Sequence, residues 1–317
     1  NRGVDVSVYT ALSFEQIQNF VNGYGKTLQS VTPIQNGIEN SNWFISCTDG
    51  GEAVLTLFEE LNVAQAAQLG SLLDGIAQYG LPVAAPQVDR DGQRLSMLAE
   101  KPAQLAPRLQ GQHPMQPTTA QCQAMGQGLA QLHLAMQSLD WHKHNAHGQA
   151  WWQATAAELR PLMSSADQQL LDRLFAEFTQ VQAQVGQLPR GLIHGDLFRD
   201  NSLFDGERLS GMLDFSECCT DEYLLDVAIT LNDFCSDWPD VALDDLKKNT
   251  FLQGYQQIRV LTEAEQTGLP IYLAMAAGRF WLSRLQVAER NRIDGRVGEH
   301  VLQKDPNEMK RMMENRL

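Results

Sequence analysis

The stretch Gly191-Leu-Ile-His194-Gly-Asp196-Leu-Phe-Arg-Asp-Asn201-Ser-Leu-Phe204 constrains this chain more than any other. Apolar residues lead into His194, a polar and turn-prone segment follows, and apolar residues resume at Leu203. A second strand-like run, Leu209 to Leu213, ends on Asp214. Two strands flanking a polar loop bring Asp196, Asn201 and Asp214 to one end of a hairpin. Two carboxylates and an amide oxygen are hard oxygen ligands of the kind Mg2+ takes while it also holds phosphate oxygens. Asp196 precedes Asn201 by five residues and Asp214 by eighteen. The competing reading is a surface hairpin that carries acids, and the agreement of three separate elements in order and spacing favours the site.

The length of 317 residues fits roughly two domains of about 150 residues each, and a 43% hydrophobic share supplies a core. A net charge of −14 argues against a nucleic-acid or anionic-membrane surface, since both need a basic patch. It does not argue against a phosphorylated ligand, because Mg2+ neutralises ATP locally. Cys47, Cys122, Cys218, Cys219 and Cys235 are odd in number and form no Cys-x-x-Cys spacing, which reads as reduced thiols in the cytoplasm. The start of the chain has no charged-then-apolar signal pattern. The most apolar run, Leu269 to Gly278, is broken by Pro270 and falls short of the ~20 residues of a membrane span. The expected partners are small molecules, with neither nucleic acid nor membrane.

The segment from His194 to Asp214 resembles the catalytic core of the protein-kinase-like phosphotransferases. In their aminoglycoside-phosphotransferase branch the loop reads His-Gly-Asp-x-x-x-x-Asn. Protein kinases have Arg after the His and a Lys two residues after the Asp, where this chain has Gly195 and Phe198. Both differences point to a small-molecule kinase. The resemblance implies an α+β, bilobal protein-kinase-like fold: an N-terminal antiparallel sheet lobe over residues 1–102 that covers the nucleotide, and a larger, mainly helical C-terminal lobe over 103–317. It implies that Asp196 orients the acceptor hydroxyl and takes its proton, and that Asn201 and Asp214 hold Mg2+ on the phosphates of ATP. His194 is expected in structural support.

Along the first lobe, Ser13-Phe-Glu-Gln16 has the form of a capping box ahead of Ile17, Phe20 and Val21. Leu28 to Ile34, Asn42 to Cys47 and Ala53 to Phe58 read as strands, the last two joined by the turn Thr48-Asp-Gly-Gly51. Between the first two, Gln35 to Asn42 occupies the place of the kinase loop that folds over the phosphates. Gly37 allows close backbone approach there, and Asn40 and Ser41 turn the chain or donate to phosphate. An ordinary hairpin turn explains these local signals equally well. The third strand of kinases carries a Lys that pairs with a helix Glu. Here Thr56 takes the Lys position, and the helical stretch Val63 to Tyr79 has no Glu. A further strand pair is expected around the turn Asp89-Arg-Asp-Gly92, with Arg94 to Ala99 returning. Glu100 to Pro107 carries two prolines and reads as the hinge between lobes, where adenine would pair with the backbone of Ala103 or Leu105.

Beyond it, Thr118 to Met136 is an amphipathic helix with His133 on the side of Leu129, read as a core histidine under the catalytic loop. Asp140 to His147 reads as a polar loop. Helices follow over 151–162, 167–185, 224–234, 246–258 and 269–285, with a short terminal one. Asp226, set in an apolar run, is expected to brace the catalytic-loop backbone, since a buried acid must be hydrogen-bonded.

Val54-Leu-Thr-Leu-Phe-Glu59, Lys101-Pro-Ala, Leu129-Ala-Gln-Leu-His133, Gly254-Tyr-Gln, Arg279-Phe-Trp-Leu-Ser-Arg284-Leu and Lys304-Asp-Pro306 resemble, in this order and together with the catalytic loop, the homoserine kinases of this fold. The resemblance runs from about residue 9 to about residue 310. It implies ATP-dependent phosphorylation of the side-chain hydroxyl of L-homoserine, a step of threonine biosynthesis, and in that family Thr replaces the strand Lys. Homoserine is a zwitterion, so its pocket should offer an acid and a base. Arg279, on an otherwise apolar helix, is the candidate for the carboxylate, against a structural ion pair as the alternative; Arg199 is a second candidate. The alternatives for the whole chain are a kinase of an aminoglycoside, choline or a sugar, and a nucleotide-binding pseudokinase.

Overall fold

The computed structural model describes residues 10–34, 40–296 and 303–317. The chain divides into two compact units, Asn1–Gln110 and Gly111–Leu317.

The first unit begins with α1, Phe14–Asn22. Ser13 caps it: the Gln16 N–H donates to the Ser13 hydroxyl at 3.1 Å, and the Ser13 N–H to the Gln16 side chain at 2.8 Å. Then come β1 (Leu28–Ile34), β2 (Asn40–Cys47), β3 (Glu52–Phe58), α2 (Val63–Gln78), β4 (Ser96–Leu98) and β5 (Lys101–Pro107). The strands form one antiparallel sheet in the order β1-β2-β3-β5-β4. Successive side chains on a strand point to opposite faces. One face carries Trp43, Ile45, Leu55, Leu57, Ala103 and Leu105, buried together with Ile17, Phe20 and Val21 of α1.

Two expectations are corrected here. Glu100–Pro107 is not an irregular hinge: Lys101–Pro107 is a strand paired on both sides, by β3 and β4, and the unit runs on to Gln110 rather than ending at 102. Its prolines occupy its second and last positions, where loss of a donor costs the ladder least. Between α2 and Asp89 no strand forms; the hairpin lies one turn later, between β4 and β5, through Ala99 and Glu100 at φ of 48° and 63°. Two consecutive positive φ values are the mark of a tight hairpin turn, made here without the usual Gly or Asn.

The second unit contains α3 (Thr119–Gln137), α4 (Gln149–Leu159), α5 (Ser165–Val185), β6 (Arg190–Ile193), β7 (Ser202–Asp205), β8 (Arg208–Met212), β9 (Cys219–Glu222), α6 (Tyr223–Phe234), the two-residue strands β10 (Ser236–Asp237) and β11 (Ala242–Leu243), α7 (Asp245–Gln256), α8 (Glu263–Ile293) and α9 (Pro306–Arg316). α8 starts six residues before Leu269, at a capping box of Thr262 and Glu265, and carries Pro270 inside it. α3 and α7 touch at backbone distance: a Cβ on Gly126 would lie 2.1 Å from the Phe251 carbonyl, and one on Gly254 would lie 2.2 Å from that of Gln123. This contact carries His133 of α3 and Tyr255 of α7 into one buried cluster.

Candidate active site

β6 ends at Ile193, and its partner β9 starts at Cys219, so the polar segments after β6 and before β9 share one end of this pair. The hairpin β7–β8 closes the arrangement. Ser202 pairs with Met212, and the Leu213 N–H donates to the Asn201 carbonyl at 2.9 Å. Asp214 follows at once. Its φ of 54° is left-handed, a conformation an Asp tolerates better than most residues. Its Oδ1 accepts from the Ser216 hydroxyl at 2.6 Å and from the Ser216 N–H at 3.2 Å. Asn201 Nδ2 donates to the Asp196 carbonyl at 2.8 Å and to Asp196 Oδ2 at 3.1 Å. With its amide nitrogen so fixed, Asn201 presents Oδ1 as an acceptor. Asp196, Asn201 and Asp214 are thus held by short hydrogen bonds at the end of one hairpin.

Burial pushes the Asp196 carboxyl well above the usual carboxylate range; Arg279 and Lys304 counter this, and Asp214 adds to it. His194 is fully buried and acts through geometry: its Nε2–H donates to the Leu213 carbonyl at 2.9 Å, and its Nδ1 accepts the Asp196 N–H at 3.2 Å. Desolvation lowers its pKa, in keeping with this neutral tautomer.

Beneath the loop lies Asp226. Its carboxylate accepts the backbone N–H groups of His194 and Gly195, each at 2.8 Å. It also accepts from His133 Nε2 at 2.8 Å, while His133 Nδ1 accepts from the Tyr255 hydroxyl at 2.8 Å, and Tyr255 accepts from Arg259 at 3.1 Å. Burial would raise the Asp226 pKa; the hydrogen bond from His133, the nearby imidazoles and the Gly195 N–H outweigh it and hold it below the usual range.

Arg199 is engaged by neighbours of the loop. Its Nε donates to Asp233 at 3.0 Å, its Nη1 to the Met115 carbonyl at 2.8 Å, and its guanidinium stacks 3.9 Å from the Trp238 ring centre. It pins the loop, and the carboxylate-binding expectation for it is withdrawn. Arg279, 7% exposed, pairs with Glu217 at 3.0 Å and lies 4.0 Å over the Phe280 ring. His147, from the loop read only as polar, meets the same Glu217 oxygen at 2.7 Å. Asn145, His147, Ile193, Gly195, Glu217 and Arg279 line a pocket against the catalytic loop. Neither Glu217 nor His147 was singled out from the sequence; 70 residues separate them, and no local pattern joins them.

In the first unit, Gly37 lies outside the described residues. Asn42, Thr56 and Gln104 are in register across three strands on the face opposite the core, and the Thr56 hydroxyl donates to Asn42 Oδ1 at 2.7 Å. Asn40 shares this face by alternation, and Ser41 does not. Ser41 is buried on the core side, where its hydroxyl donates to Glu59. Glu59 also pairs with Lys101 and accepts from the Thr10 N–H at 3.0 Å. An acid–base pair is therefore present, contributed by the end of β3 and the start of β5 rather than by β3 and a helix. Ser41 is corrected from a phosphate donor to a member of this cluster. Ala103 and Leu105 are also corrected: Ala103 sits between two partner strands, and the Leu105 carbonyl accepts the Gln87 N–H at 2.7 Å. Their backbone serves the sheet.

The sequence profile of the phosphotransferase enzyme family (APH) matches residues 30–261. With the loop geometry, this makes the chain a phosphotransferase that uses ATP and takes an alcohol group as acceptor. The homoserine kinase of Methylobacillus flagellatus is 38% identical over 311 residues, 98% of this chain and 95% of that one. The homoserine kinase of Neisseria meningitidis serogroup B is 36% identical, over 97% of this chain and 99% of that one. Among solved structures, amicoumacin kinase hAmiN in complex with AMP-PNP, Ca2+ and Ami has a TM-score of 0.69 at 16% identity, covering 96% of this chain and 92% of that one. A microcompartment-associated aminopropanol kinase has a TM-score of 0.64 at 20% identity, covering 96% and 94%. These structures share the fold, which is protein-kinase-like. The chain belongs to the phosphotransferase enzyme family, in its homoserine kinase branch.

Proposed function

We infer that this chain transfers the γ-phosphoryl group of ATP to the side-chain hydroxyl of L-homoserine, giving O-phospho-L-homoserine for threonine synthesis. The observation that supports the reading is the full-length likeness to homoserine kinases, joined to a loop in which Asn201 is bonded to Asp196 and the backbone of Leu213, next to Asp214, is bonded to that of Asn201. Asp196 orients the hydroxyl and accepts its proton as the new O–P bond forms. Phosphoryl transfer asks mostly for alignment and charge stabilisation, which rigid loop geometry supplies. Asn201 through Oδ1 and Asp214 through its second oxygen fit Mg2+, whose chemistry there is to neutralise phosphate charge. Asn40 and Thr56, on the sheet face opposite the core, are the proposed polar contacts to the nucleotide. The chain works in the cytoplasm on this reading; its five cysteines are free and buried, and among the described residues no helix is long and apolar enough to cross a membrane.

A zwitterionic acceptor needs one cation and one anion, and the pocket beside Gly195 offers both in Arg279 and Glu217. Arg279 takes the carboxylate as a fork. Arg279→Lys keeps the charge and loses the fork; it is expected to raise KM for homoserine by about tenfold or more while Kd for ATP stays unchanged, read from initial rates and calorimetry. An unaltered KM would confine Arg279 to its ion pair. The activity itself is tested by ADP release with ATP and Mg2+ across L-homoserine, choline, sugars and aminoglycosides. L-Homoserine is expected to turn over best; turnover of another alcohol with none of homoserine would end the assignment.

A further inference from the structure

Asp196, as the proton acceptor, leaves one requirement of the reaction without a side chain: a cation on the phosphoryl group in flight. Thr56 stands where kinases carry the strand Lys, and Phe198 stands two residues after Asp196, where protein kinases carry another. Phe198 is buried and carries no charge. Yet a cation stands over it. Lys304 Nζ lies 5.7 Å from the Phe198 ring centre and 3.1 Å from Asp200 Oδ2, although 104 residues separate the pair in sequence.

The backbone around Lys304 is built, not draped. Arg284, on α8, donates to the Asp305 carbonyl at 2.9 Å and pairs with Glu308 at 2.6 Å. Asp305 caps α9 by accepting the Asn307 N–H at 2.9 Å, and Pro306 takes the first helical position, which its missing donor suits. Met309, Met312 and Met313 of α9 are buried. On the other side, Gln303 accepts from Asn291 at 3.1 Å. Two flanking residues and a whole helix therefore fix where Lys304 stands. Stability does not explain it. Its side chain is 54% exposed and that of Asp200 is 49% exposed, and such exposed pairs contribute about 0–1 kcal/mol. A flexible ammonium over an apolar ring, with a single exposed partner, is free to turn toward a stronger anion. Arg279 and Lys304 are also the cations whose fields reach the Asp196 carboxyl.

We propose that Lys304, presented from beyond α8 by the start of the terminal helix, meets the γ-phosphoryl oxygens of ATP and stabilises their charge during transfer, in place of the cations absent at Thr56 and Phe198. The inference rests on the phosphotransferase reading above. In the step, the bond from Pγ to its bridging oxygen breaks and the electron pair stays on ADP. The bond from the homoserine oxygen to Pγ forms, and the hydroxyl proton passes to Asp196. Lys304 exchanges no atom in the step.

The test uses the full chain and three variants, Lys304→Met, Lys304→Arg and Asp200→Asn, with two measurements: homoserine-dependent ADP release, and calorimetric binding of AMP-PNP and ADP with Mg2+. Lys304→Met is expected to lower kcat about a hundredfold, the scale of losing one preorganised charge contact, with KM for homoserine kept within about twofold. It should weaken AMP-PNP about tenfold and leave ADP unchanged, because only AMP-PNP carries the γ group. Lys304→Arg should recover most of both. Asp200→Asn, which removes only the partner acid, should keep kcat within about threefold. Small and equal effects of Lys304→Met and Asp200→Asn, or equal changes in AMP-PNP and ADP affinity, would show that Lys304 only ties down the terminal segment. Should the unaltered chain fail to turn over homoserine, the acceptor assignment falls, and the nucleotide measurement, which needs no acceptor, still decides the role of Lys304.

Discussion

Asp196→Ala is expected to lower kcat by about a thousandfold or more, as when a positioned general base is removed, with ATP binding retained. The structure sharpens this in two ways. The Asp196 carboxyl is pushed up by burial, so the protonated, inactive form persists to higher pH than for an ordinary acid. The acid limb of kcat/KM should lie above the reference carboxylate value of about 4. The sign of the stability effect is opposite to that on activity. A carboxyl whose folded pKa is raised binds its proton more tightly in the folded state, so its ionisation near neutral pH works against folding. Asp196→Asn, which keeps shape and removes the charge, is expected to melt no lower than the unaltered chain while losing turnover. A variant with unchanged turnover would mean that another group takes the proton, and one that melts far lower would mean that Asp196 has a structural role.

Asp226→Asn is the second large effect, and it falls on the fold. The Asp226 carboxylate accepts three hydrogen bonds with no exposure to water. An amide turns one acceptor into a donor facing other donors. Breaking a buried, charge-assisted network of this kind costs about 3–5 kcal/mol, a large part of a total of about 5–15 kcal/mol. Urea unfolding should show that loss, and kcat should fall with it, since His194 and Gly195 lose their anchor. The pH dependence gives an independent reading. The folded pKa of Asp226 lies below its unfolded value. Its contribution is therefore complete above the reference value of about 4 and is lost as pH falls through the depressed folded value. The unaltered chain should lose stability over that acid window, and the variant should lack this component. Equal stability at pH 7 would show that the loop is held by its remaining contacts.

The candidate loop was legible because its residues are close in the chain: Asp214 follows Asp196 by eighteen positions, and pairing of Ser202 with Met212 sets the two ends of the hairpin side by side. The capping box at Ser13 was equally plain, whereas that of Thr262 and Glu265 was hidden behind Pro270, which delayed the expected start of α8. β5 was obscured by prolines that in fact sit near its ends, and the β4–β5 turn by residues, Ala99 and Glu100, that rarely take positive φ. Ser41 was misassigned for want of strict alternation. With Asn40 and Asn42 on the face opposite the core, the period of two already sends Ser41 to the core side. What pairs across the fold gave no sign in the sequence. The meeting of Glu217 with His147 and Arg279, and that of Lys304 with Asp200, depends on how helices and loops far apart in the chain pack.

The most direct test of phosphoryl transfer to a side-chain oxygen is the phosphorus NMR spectrum of the product formed from L-homoserine, ATP and Mg2+. A single phosphomonoester coupled to the side-chain methylene, formed in step with ADP, is the expected result. Inorganic phosphate alone, or a phosphoryl group on the homoserine carboxylate or nitrogen, would contradict it.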